Sequence, residues 1–107
     1  MNDQQLLELA AKAAGMDYLV WTPGTSPIVP AERRINGQMH WNPIHDDGDA
    51  LRLAVKLNLW LHVEEYGASA RRAGGAWLGC EAHLHGGIEA ATRRAIVRAA
   101  AAIGKEM

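Results

Sequence analysis

Apolar and polar positions alternate along this chain with two different periods, and the switches between them predict its elements. Leu6, Leu9, Ala10 and Ala13 recur at three- and four-residue spacing, which predicts a helix over residues 3–14. Asn2 with Gln5 three positions on forms a capping-box pattern, Lys12 suits the last turn, and Gly15 supplies a stop. Residues 17–22 are rich in β-formers and end at Pro23-Gly24, so they read as a short strand. Residues 23–34 hold three of the four prolines and read as an irregular loop. Asn36-Gly37 is a type I′ turn signal, with a small hairpin around it reaching Trp41.

After Asn42-Pro43, Asp46 or Asp47 is a natural cap for a helix over 47–57, with Leu51, Ala54, Val55 and Ile44 assigned to its inner face. A period of two follows. Leu59, Leu61 and Val63 point one way and Trp60, His62 and Glu64 the other. Residues 67–75 read as a turn or mobile loop. Over 77–85 the alternation resumes, with Leu78, Cys80, Ala82 and Leu84 opposite Trp77, Gly79, Glu81, His83 and His85. These two strands are predicted to form an antiparallel hairpin. Gly86-Gly87 opens a last helix over 88–103, with Ile88, Ala91, Thr92, Ala95, Ile96, Ala99 and Ile103 on one stripe and Gly104 at its end. The expected architecture is α+β: one domain spanning 1–107, a small sandwich whose mainly antiparallel sheet of three to five strands is packed by three helices.

Composition narrows the classes. Nineteen of the 107 residues are alanine and none is phenylalanine, so the core is modest and four tryptophans carry most of the aromatic bulk. The net charge of −1 gives no basic excess of the kind that phosphate binding uses, so nucleic acid is a disfavoured partner. A third reading nonetheless collects Arg71, Arg72, Arg93, Arg94 and Arg98 into a nucleic-acid surface. One cysteine makes no internal disulfide, and no apolar run approaches the ~20 residues of a membrane span. The first residues resemble no signal peptide. A soluble protein of a reducing cytoplasm, with no membrane partner, is the expectation.

The chemistry gathers on the outward hairpin face. Trp60, His62, Trp77, Glu81 and His83 form a candidate partner-binding surface, because aromatic side chains beside polar groups are typical of protein contacts. A weaker alternative makes His62, His83 and His85 the ligands of a metal-binding protein or metal-dependent enzyme, since imidazole suits zinc and its neighbours. Hairpin register decides it. Pairing residue 64 with 81 gathers the three histidines, and pairing 64 with 77 separates them. The plainer account is a solvated polar face. Asp46, Asp47 and Asp49 are explained by helix capping before cation binding, and Cys80, set among Leu78 and Leu84, reads as a buried thiol. No nucleophile, phosphate-loop or dinucleotide pattern occurs. No catalytic residue and no cofactor is assigned.

Three blocks, residues 6–15, 41–57 and 91–104, together resemble the phage ABA sandwich domain family of small phage and prophage proteins. The resemblance implies a small α/β sandwich encoded by a phage or prophage, and carries no catalytic set with it. The functional expectation is an accessory protein that binds a host or phage protein, with self-association as a further expectation.

Overall fold

Asn2 begins the first element as the capping box requires. Its Oδ1 accepts from the Gln5 backbone N–H at 2.8 Å, and the Gln5 side chain accepts from the Asn2 N–H at 2.9 Å. The structure, a computed structural model describing residues 1–107, carries this helix, α1, over Asp3–Ala13, with Gly15 left-handed after it. Asn2→Ala is expected to lower stability by about 1 kcal/mol, read as a lower urea midpoint at unchanged slope.

Helix α2 covers Asp47–Lys56, capped by Asp46, whose carboxylate accepts from the Asp49 N–H at 2.7 Å. Its inner face differs from the expected one. Ala50, Leu53 and Ala54 are buried with Ile44, whereas Leu51 and Val55 face solvent. Small Ala50 and Ala54 suit close helix packing, so the core lies about one residue round the helix from the stripe of larger side chains.

The sheet has three antiparallel strands, β1 (Trp60–Glu64), β2 (Gly67–Arg71) and β3 (Leu78–Glu81), in the order β1-β2-β3. The expected β1–β3 hairpin is therefore corrected, because the segment read as a loop is the central strand. Its residues are small because α4 (Ile88–Lys105) lies on them. Ala68 and Ala70 are buried with Cys80 against Ala91, Ala95 and Ala99. A Cβ on Gly67 would meet the Cys80 carbonyl oxygen at 2.4 Å.

The strand expected over 77–85 is also corrected. It stops at Glu81, and Ala82–His85 coil into a single helical turn, α3, closed by left-handed Gly86. Strand β2 begins at Gly67, so after one further cross-chain bond, from Ala82 N–H to the Tyr66 carbonyl at 2.8 Å, the backbone bonds locally, with Gly87 N–H reaching the Ala82 carbonyl at 2.9 Å.

Residues 17–41 make no extended strand. Val20, Ile28 and His40 are joined only by isolated antiparallel bridges, since Pro27 and Pro30 remove the donors that a longer ladder needs. Asn36 and Gly37 do adopt positive φ, and Gln38 N–H bonds Ile35 C=O at 3.0 Å, so the turn forms without the hairpin.

The result is an α+β fold with α4 at its centre. One side of α4, with Ile96, Val97, Ala100 and Ala101, joins α1, α2, Trp41 and Val29 in the larger core. The other side covers the sheet. The helix runs through Gly104 to Lys105 rather than ending at 103. No helix is long and apolar enough to cross a membrane. The sheet face turned away from α4 has no helix over it, and that open face carries the candidate site.

Candidate functional site

Register places the site residues in rows across the open face. Trp60 pairs with Arg71, His62 with Ser69, and Glu64 with Gly67. Ser69 in turn pairs with Gly79, and Gly67 with Glu81. The floor of the face is thus Gly67, Ser69 and Gly79, which leaves the backbone close to the surface. At one end the Arg71 guanidinium lies between two indoles, 4.2 Å from the Trp60 ring and 5.0 Å from the Trp77 ring. Those indoles are 53% and 47% exposed. The His62 ring meets Trp77 edge-on at 6.3 Å.

Arg71 makes no ion pair in its own chain. One guanidinium nitrogen reaches the Gly75 carbonyl at 3.4 Å, and Nε is buried without a hydrogen-bond partner. At the other end of the face, about 13 Å along the strands, Glu64 and Glu81 flank Gly67. Glu64 holds His62 at 2.6 Å. The face therefore runs from a cationic aromatic end to an acidic one.

Of the sequence-assigned residues, Trp60, His62 and Trp77 come together. Glu81 lies at the acidic end of the same face. His83 has left the sheet on α3, where it sits 3.5 Å from Glu81. His83 and His85 do not join His62, and no three His, Cys, Asp or Glu side chains are arranged to hold a metal ion. The metal-ligand set thus lacks its geometry, because the turn at Ala82 ends the alternation on which it rested. The aspartates also disperse: Asp46 caps α2, Asp47 pairs with Arg93 at 2.7 Å, and Asp49 turns inward.

Apart from Arg71, the arginines of the nucleic-acid reading are tied to their own chain. Arg72 pairs with Glu106 and Arg94 with Asp3, while Arg98 donates to the Gly79 carbonyl at 2.6 Å. Arg93 also donates to the Ile44 carbonyl at 2.8 Å. Arg71 is the residue that sequence reasoning missed at the site. Its place between Trp60 and Trp77 follows from pairing through β2, which has no local signature.

A separate cavity of about 240 Å³ lies between α2 and the 16–41 segment, lined by Met16, Tyr18, Arg33, Trp41, Arg52 and Lys56 among others. It is smaller than the roughly 300–1,000 Å³ of typical small-molecule sites. Its Arg33 stacks on Tyr18 at 4.5 Å, and its Arg52 is held by Asp49. The open sheet face is the stronger candidate. Compared with protein-family models, with curated proteins and with solved structures, the chain matches none of them.

Proposed function

We propose that this chain is a protein-binding module whose contact surface is the open sheet face centred on Trp60, Arg71 and Trp77. The observation that carries the reading is the guanidinium stacked between two half-exposed indoles on a flat floor of Gly67, Ser69 and Gly79. Tryptophan and arginine are the residues in which binding energy concentrates, because each brings large area and a polar group. Holding Arg71 by stacking leaves its charge unspent and its geometry set in advance. The partner that fits is a protein surface with an acidic group for Arg71 and a basic group about 13 Å away for Glu64 and Glu81. The resemblance to the phage ABA sandwich domain family supports seeking that partner in phage-carrying bacteria, as an accessory role inside the host cell.

The test is direct binding of a partner captured from such cells and then purified. Trp60→Ala and Trp77→Ala are each expected to weaken binding roughly 30-fold, the equivalent of about 2 kcal/mol at a hot spot. Glu32→Ala, on the exposed 3₁₀ turn Ala31–Arg33, is expected to leave binding unchanged. Unchanged affinity in both tryptophan variants would remove this face as the contact surface.

A further inference from the structure

The geometry points to a second copy of this chain as the partner of the free edge of β1, paired antiparallel about a two-fold axis at His62. This inference concerns the strand's edge and stands without the open-face reading; in the dimer the acidic group for Arg71 comes from Glu64 of the second copy, and the indoles of Trp60 and Trp77 stay on the open face.

The parity of the ladder sets which backbone groups are free. Glu64 and Gly67 are separated by two residues, so they form the mutually hydrogen-bonded pair that closes the hairpin. By alternation His62 and Trp60 also bond to β2, and the N–H and C=O groups of Leu61 and Val63 point away from it. No other element pairs with that edge, and every residue of β1 is exposed.

The opposite edge of the sheet is guarded. The Gly79 carbonyl on the outer side of β3 accepts from Arg98, and that strand turns into α3 after four residues. The β1 edge has no such protection: no proline, no bulge, and no charge on the side facing α4. There, Leu61 and Val63 overhang α4, 40% and 53% exposed.

A second β1 fits this edge in one preferred register. Placing Leu61 opposite Val63 of the second copy, and Val63 opposite Leu61 of the second copy, gives two mutually hydrogen-bonded pairs with the required parity. The same register covers the overhanging side chains of each copy with those of the other. It also puts Glu64 of the second copy in the row of Trp60 and Arg71, and Arg71 has no carboxylate partner in its own chain. The result is one six-stranded sheet with α4 of both copies on one face and two tryptophan–arginine clusters on the other.

Sedimentation equilibrium of the full chain tests this. At micromolar concentration and above, the expected mass is twice 11.6 kDa. Val63→Pro removes an N–H that the sheet does not use, so it is expected to give a monomer with an unchanged circular dichroism spectrum. Val63→Lys checks the same edge without touching the backbone. His62→Cys is expected to form a disulfide-linked dimer on mild oxidation, because a non-hydrogen-bonded pair at the axis brings the two Cα atoms about 4.5 Å apart. Unmodified protein, whose Cys80 is buried, is expected not to cross-link. A monomeric parent chain, a dimer that survives Val63→Pro and Val63→Lys, or a His62→Cys protein that does not cross-link would each overturn the proposal. Trp77→Ala lies outside β1 and is expected to leave the dimer intact, so failure here and failure of the open-face reading separate cleanly.

Discussion

Replacing Gly104 with alanine is expected to destabilise the protein by roughly 2–4 kcal/mol, although alanine is the better helix former. Two effects oppose each other. Glycine within a helix costs about 1 kcal/mol relative to alanine, so propensity alone favours the substitution. Yet a Cβ at position 104 would lie 2.0 Å from the Leu9 carbonyl oxygen and 2.8 Å from its carbon. These are backbone atoms of α1 and cannot rotate aside, so α1 and α4 must separate. The contact they share includes Leu6, Ala10, Ala100 and Ala101, all buried. Loosening it costs dispersion and burial along both helices, which outweighs the propensity gain. Chemical denaturation of Gly104→Ala beside Ala102→Gly measures both terms. The second variant should lose about 1 kcal/mol from propensity alone. A Gly104→Ala protein more stable than the parent would show that α1 does not approach α4 at this position.

Asp49→Ala is expected to cost about 2–3 kcal/mol. Asp49 is the one buried charged residue of the protein, 4% exposed. One carboxylate oxygen accepts from Gln38 Nε2 at 2.7 Å and from the Asn42 N–H at 2.9 Å. The other accepts from Arg52 at 2.8 Å. The side chain thus pins the 38–42 segment onto the first turn of α2, where a negative charge is also favoured by the helix dipole. Alanine leaves the Asn42 donor unpaired in a partly buried place. Asp49→Asn separates the contributions. Its amide oxygen can keep Gln38 and Asn42 while its NH₂ meets only the half-exposed Arg52, which can turn to water. A loss about half that of alanine is expected, again by denaturant midpoint. Equal stability of all three proteins would mean that the carboxylate contributes nothing to holding this segment.

Local signals in the sequence explain why some elements were legible. Asn2 and Gln5 cap α1 whatever else the chain does, as Asp46 caps α2, because each bond closes within three residues. The Asn36-Gly37 turn likewise forms from its own φ preferences. The alternation of β1 was also readable, and with it the placement of Trp60 and His62 on one face. Strand β2 was not, since Gly-Ala-Ser-Ala-Arg contains no β-former. Those residues are strand because α4 requires small side chains beneath Ala91, Ala95 and Ala99. The alternation through His83 and His85 was misleading for the converse reason. It continued past the last residue of β2 able to pair with it.

Sequence alone therefore determined where α1 and α2 start, that a long alanine-rich helix closes the chain, that the fold is α+β, and which way Trp60, His62 and Trp77 face. All of these follow from periodicity and capping, whose physics spans a few residues. Tertiary packing decided that β2 exists, which stripe of α2 is buried, and that Arg71 rather than His83 stands between the tryptophans. Those outcomes depend on how closely α4 approaches its neighbours, a distance set by side chains far apart along the chain.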